Sequence, residues 1–398
     1  MNKKIILHAG LHKTASTSIQ EALKSAHDEL AKKRIAYPLL DINGNVASNH
    51  SFMMYSLFCN EPEKYHINQK WGYNTADKVK QLNDYYEQYL TNIINDKAND
   101  VVLISAEDLF SLDKSSLIKL KSFLEEKFNV SIEIVFYVRH LCDYLQSVIQ
   151  QRVKDGGWKE LLLSEIRHGH LGRVSDKISQ FDDVFGKDSV KAYKYEDAIK
   201  YPGGIINHFL NNILGVDDVR FDDVKYNNSL SFESFAIHSK VNKKFPLYKD
   251  GVLSSERKHD DLHLVVNLPG VKFCLEQSFF DRCYTDLFEE FKFLNQRFDI
   301  EYAPKVCAGI NKQETWSEST LSYLDMIIPS LSSLVQKEII DLLRDQCVIY
   351  KDNDTEKAFN LIALAFKYRS SGPKIKSIYD EIFAKLNNNV VGEAVHHG

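Results

Sequence analysis

Apolar and polar positions follow two rhythms along this chain. Short apolar runs stand at 4–9 (KIILHA), 101–105 (VVLIS) and 132–138 (IEIVFYV). Each is too short for a helix, so each reads as a buried strand of a parallel sheet. Between them the spacing becomes three or four: Ile19, Leu23, Ala26 and Leu30 mark a helix over 16–33, and 79–94 and 116–128 follow suit. Residues 41–75 are polar, aromatic-rich and irregular. After the third run, helices are expected at 143–154, closed by Gly156 and Gly157, and at 174–185, with a short strand at 189–195. Further helical spacing covers 205–214, 231–244 and 279–298. From about 306 the strand signals vanish, and amphipathic helices are expected at 317–328, 331–346, 355–369 and 374–387. Strands alternating with helices predict an α/β fold: a P-loop-like doubly wound parallel sheet flanked by helices, with ligands at the strands' C-terminal ends. A smaller all-helical C-terminal domain completes the expectation, dividing the chain at 1–305 and 306–398.

Bulk properties narrow the class. The 398 residues are 44% hydrophobic and 26% charged, as in an ordinary globular protein, and exceed one typical core. A formal net charge of -5 makes the whole chain a poor match for nucleic acid or an anionic membrane. No stretch has the length of a membrane span or the form of a signal peptide, which points to the cytoplasm. Six scattered cysteines (Cys59, Cys142, Cys274, Cys283, Cys307, Cys347) contain no C-x-x-C pair and read as reduced. No metal-ligand cluster is visible, so no metal is expected.

The chemistry concentrates after the first strand, in Gly10-Leu-His-Lys-Thr-Ala-Ser-Thr-Ser18. The spacing is not that of a Walker A motif, because Lys13 precedes the small residue. What it offers is small Ala15 for close backbone approach and hydroxyls at Thr14, Ser16, Thr17 and Ser18. The unpaired amides of a helix start and the charge of Lys13 complete a phosphate or sulfate cradle. An ordinary N-cap needs one such hydroxyl; here four sit beside a lysine.

This segment resembles the 5′-phosphosulfate loop of the sulfotransferases that use 3′-phosphoadenylyl sulfate (PAPS). It is most similar to the bacterial branch that sulfates glycans, capsular polysaccharide among them, with Ala15 at the family's glycine and Ser16 at its threonine. A second match is Arg139 at the end of IVFYV, followed eight residues later by Ser147. The resemblance makes this pair the 3′-phosphate site, and arginine's planar fork suits phosphate. Weaker echoes are VKAYKYEDA (190–198), Asn227-Asn228-Ser229 and 293–298, so the likeness spans about 1–300. It implies a donor site of His12, Lys13, Thr14, Ala15, Ser16, Thr17, Ser18, Arg139 and Ser147, with His12 more a structural member than a chemical one. The product would be adenosine 3′,5′-diphosphate.

Sulfuryl transfer by in-line displacement needs a cation at the leaving group and a base at the acceptor. Lys13 fits the first role. For the base, Glu107 follows the second strand, on the ligand side of the sheet, and its alternative role is to cap the next helix. His50, in SNHSF, is the other candidate, its alternative being a packed loop histidine. His140 reads as a packing residue. Phe52, Tyr55, Phe58, Trp71 and Tyr73 suit stacking on sugars or burial in a core. A glycan or lipid-linked saccharide is the acceptor the resemblance implies. A kinase-like phosphotransferase and a nucleotide-binding scaffold without transfer activity stay open, as does homo-oligomerisation through the C-terminal helices.

Overall fold

The computed structural model describes residues 3–11, 13–42, 45–167, 173–221, 229–249, 252–258, 260–282, 284–303, 305 and 309–395. Its centre is one parallel sheet of five strands: β1 (Lys3–His8), β2 (Ile35–Ala36), β3 (Val101–Ser105), β4 (Val130–Val138) and β5 (Val190–Lys194). Their order is β2-β3-β1-β4-β5, every pair parallel. The three apolar runs thus become the three central strands. β1 pairs Ile6 with Leu103 on one side and with Glu133 on the other. Because the order reverses direction beside β1, its C-terminal end opens the crevice where α/β sheets bind ligands. The fold class is therefore the doubly wound parallel α/β sheet, with an additional helical region.

Helices cover both faces. Against one lies α1 (Ser16–Ser25): Ile19 and Leu23 pack with Ile6, Leu103, Val135, Tyr137 and Phe209. The 16–33 spacing predicts one helix; the chain bends at Ala26 into a second short one, His27–Lys32. The segment 41–75, expected to be irregular, contains α2 (Ser51–Phe58), whose apolar residues give no clear one-sided spacing because Phe52, Met53, Met54 and Phe58 are all buried. On the other face lie α3 (Lys114–Lys127), capped by the Asp113 carboxylate on the Ser116 amide, and, after α4 (Leu141–Lys154), α5 (Val174–Phe185). Phe136 of β4 meets Phe181 of α5 edge to face at 5.0 Å, both fully buried. Such a ring stabilises by about 1.5–3 kcal/mol through burial alone.

The chain packs as two compact units. The first comprises 1–144, 171–226 and 284–304 and holds the sheet. The second comprises 145–170, 227–283 and 305–398, and so is wider than the 306–398 helical domain expected from the loss of strand signals. The reason lies in its core. The helices α7 (Ser333–Tyr350), α8 (Thr355–Tyr368) and α9 (Pro373–Val395) bury their apolar faces together with Ile237 and Val241 of α6 (Phe232–Lys244). Leu262, Val265 and Leu268 join the same cluster. Amphipathic helices cannot close a core alone, and this one recruits earlier chain to do so.

Candidate functional site

The C-terminal ends of β3, β1 and β4 lie side by side, about 4.8 Å between neighbours. Three sequence candidates leave the sheet there. The loop 9–15 follows β1, Glu107 stands two residues past β3, and Arg139 follows β4 directly. The ladder runs slightly beyond the strands: the Ala9 amide donates to Val135 O at 3.1 Å and the Ala106 amide to His8 O at 3.0 Å. These bonds hold the starts of the loop and of the Glu107 segment in register.

The loop turns back sharply on α1. A Cβ at Gly10 would stand 2.3 Å from Ser16 Oγ and 3.6 Å from Glu107 Cγ, so only glycine leaves room there. Glu107 and Ser16 therefore border the same small space. Lys13 and Ala15 adopt left-handed backbone, φ 72° and 62°. For non-glycine residues this costs about 1–2 kcal/mol each. Ala15, which stands where the resemblance expects glycine, takes this conformation as an alanine. The Thr14 hydroxyl is buried and donates to Leu11 O at 2.6 Å, bracing the turn from within instead of facing a ligand.

Helix α1 starts without a side-chain cap and without an acid in its first turn. Its first internal bond runs from the Ile19 amide to Ala15 O at 3.0 Å, leaving the Ser16, Thr17 and Ser18 amides as the uncapped donors of a positive helix end. Thr17 is exposed; Ser16 and Ser18 are buried. Ser16 Oγ is sealed from solvent with no hydrogen-bond partner among the described residues. An unmade bond of that kind costs about 1–3 kcal/mol. A buried hydroxyl, uncapped amides and a lysine on one loop fit an oxyanion group. His12 lies outside the described residues.

Beneath the loop is a polar layer that sequence reasoning missed. His8 Nδ1 and Ser105 Oγ stand 2.9 Å apart, and Gln20 Nε2 donates to Ser105 Oγ at 3.2 Å. Burial drives the His8 pKa down to about 4, weakly opposed by the negative charge of Glu107. His8 is the single polar residue between Ile5 and Ala9, and that interruption was the available signal.

His50 does not reach this space as a base. Its ring is fully buried; Nε2 donates to Pro38 O at 2.6 Å and Nδ1 accepts from the Ser105 amide at 2.9 Å. Burial lowers its pKa to about 4. Nδ1 pins the start of α2 to the end of β3, and Nε2 ties it to the segment at Pro38, so both nitrogens are used. The packed-histidine reading therefore describes His50, and Glu107 alone of the two base candidates stands beside the loop. Its neighbour Asp108 accepts from the Tyr65 hydroxyl, and Asp113, not Glu107, caps α3.

Arg139 Nη1 donates to Lys13 O at 3.2 Å, tying β4 to the loop, and its guanidinium stacks over Tyr195 at 5.4 Å. Glu196 accepts from the His140 amide at 2.9 Å, and the Tyr302 hydroxyl lies 3.1 Å from the same carboxylate. His140 packs against Phe291 and Tyr302, with Nε2 3.1 Å from Ala303 O. Ser147 is half-buried on α4, where the chain has passed into the second unit. Of the aromatics considered for sugar stacking, Phe52 and Phe58 are core residues. Tyr55 is half-buried against Tyr65, ring centres 4.5 Å apart, and Trp71 against Phe52 at 5.3 Å. Asn227 and Asn228 lie outside the described residues.

Among the described residues no group of three or more His, Cys, Asp or Glu could hold a metal ion, and no helix is long and apolar enough to cross a membrane. No family model matches the chain, and no curated protein matches it. Among solved structures, a sulfotransferase from Alicyclobacillus acidocaldarius is similar to it with a TM-score of 0.35 and 16% identity, covering 57% of this chain and 87% of that one. A likeness of that size leaves the functional reading to the geometry of the three strand ends.

Proposed function

We propose that the chain is a sulfotransferase that accepts PAPS in the loop 10–18 and passes the sulfuryl group to a hydroxyl of a glycan or lipid-linked saccharide. The observation that carries this reading is the cradle itself. An orphaned Ser16 hydroxyl, uncapped α1 amides and Lys13 adjoin Glu107 and Arg139 at three neighbouring strand ends. When bound, the donor supplies an activated sulfuryl group on a phosphate. The Ser16 hydroxyl and the amides of residues 16–18 bind its 5′ end. Lys13 neutralises the charge that grows on the departing phosphate oxygen. Glu107 holds the acceptor hydroxyl and takes its proton. Arg139, fixed by Lys13 O and Tyr195, presents a forked cation to the 3′-phosphate. Thr14 and Gly10 shape the turn; His8, Gln20 and Ser105 support it from below.

A kinase-like use of the same cradle lacks support, because no lysine stands at the Walker position. A non-catalytic nucleotide scaffold would share the cradle but has no use for Glu107. The deciding experiment is a radiolabelled-sulfate transfer screen from PAPS over glycan acceptors. Thermal shifts with adenosine 3′,5′-diphosphate and with ATP run in parallel. Transfer that vanishes in Glu107→Gln, with the diphosphate still bound, is the expected result. Stabilisation by ATP alone would overturn the reading.

A further inference from the structure

We propose that the second unit carries a binding site for an aryl anion, a small molecule with an aromatic body and one carboxylate- or sulfonate-type group. It does not rest on the function assigned above. A cavity of about 400 Å³ lies between α6 and the segment 273–282, within the range of small-molecule sites. Phe232, Phe235, Phe273 and Phe279 line it, and Phe235 stacks on Phe273 with ring centres 3.9 Å apart and planes inclined by 21°. The sequence explains the wall. Residues 232, 235, 236, 239, 240 and 243 share one face of α6 at helical spacing, apolar at its start and polar towards its end. The opposite face, with Ile237 and Val241, is spent in the helical core. The aromatic face packs too, with Phe235, Phe273 and Phe279 buried, yet it leaves the cavity open beside Phe232.

Charge selects the occupant. Lys159, Lys240, Lys243 and Arg282 line the cavity against two acids, Glu160 and Glu276. Lys240 is paired with Asp345 at 2.7 Å and Lys243 with Glu160 at 3.5 Å. The Lys159 ammonium and the Arg282 guanidinium have no ion-pair partner among the described residues, and exposed Glu276 is the one acid left to offset them. The balance favours one negative charge held above stacked rings. A neutral ring would gain burial only, and a cation would meet repulsion.

The test uses the full chain and three probes: naphthalene-2-sulfonate, naphthalene-2-carboxylate and uncharged 2-naphthalenemethanol. Calorimetry should find one site for either anion, at least about tenfold tighter than for the alcohol, since one charge-assisted hydrogen bond is worth that ratio. Arg282→Ala and Lys159→Ala should each weaken the anions about tenfold and leave the alcohol unchanged. The ratio of sulfonate to carboxylate affinity identifies the preferred head group. Ala236→Trp, which fills the cavity, should abolish binding. Cys274 provides a readout on the unsubstituted protein, because it is half-buried in the cavity wall. Saturating sulfonate should slow its alkylation, mapped by peptide mass, while the alcohol at the same concentration slows it less. Equal affinity for all three probes, binding indifferent to Arg282 and Lys159, or unslowed alkylation of Cys274 would overturn the proposal.

Discussion

Replacing Gly10 by alanine tests the cradle most directly. The added methyl would stand 2.3 Å from Ser16 Oγ and 3.2 Å from Ser16 Cβ, more than 1 Å inside ordinary contact in the first case. Either the serine swings away or the start of α1 shifts. Overpacking of this kind costs about 1–3 kcal/mol. Ser16→Ala alone should do the reverse to the unliganded protein. It removes a buried hydroxyl that has no partner among the described residues, and should gain up to about 1 kcal/mol. In the double variant the Oγ clash is gone and a 3.2 Å contact remains, which a shift of a few tenths of an ångström relieves. The cycle should therefore show about 1–2 kcal/mol of coupling. Amide exchange in β1 and α1 reads the stability of the first unit alone. Calorimetry with adenosine 3′,5′-diphosphate reads the site, where both single variants should bind about tenfold or more weakly. Additivity within about 0.5 kcal/mol, or a Gly10→Ala protein as stable as the native one, would refute the close packing of loop on helix.

Other outcomes follow from the same geometry. Ala15→Gly should retain diphosphate binding and leave the first unit unchanged or up to about 1 kcal/mol more stable, as relief of φ 62° is partly offset by a freer unfolded chain; amide exchange across α1 measures it. Lys13→Ala should lower turnover about 10²–10³-fold with a smaller loss of diphosphate affinity, and Arg139→Ala should do the opposite, weakening the diphosphate about tenfold or more without rescue by lysine; steady-state rates and calorimetry separate the two. Buried His8, His50 and His238 stay neutral in the fold down to about pH 4, whereas unfolded histidine takes its proton near 6.5. The unfolded state then binds more protons between those values, so stability is full above pH 6.5 and is lost as pH falls towards 4, by up to about 3 kcal/mol per histidine. His50→Gln should make that slope shallower in urea titrations while leaving the pH profile of transfer unmoved; a shifted profile would restore His50 as base.

Local chemistry determined a good part of this protein. The runs 4–9, 101–105 and 132–138 could only bury themselves as parallel strands, and the hydroxyl-rich segment after the first could only start a helix. Lys13, Glu107 and Arg139 were legible as candidates because each follows such a run, and parallel strands deliver their ends to one edge. Tertiary structure decided what spacing does not encode. It brought β3 and β4 to either side of β1, so that residues 13, 107 and 139 became neighbours across more than a hundred positions of chain. It turned His50 from a candidate base into a pin between Pro38 and Ser105, since a ring's partners depend on which backbone atoms folding sets beside it. It gave the segment 51–58 its helix, whose residues are buried nearly all round and so carry little helical period. It widened the helical unit beyond residue 306, because Ile237, Val241 and Val265 complete a core that the last helices cannot close. Sequence sets which residues must be buried and which carry charge; only the packed chain sets which of them meet.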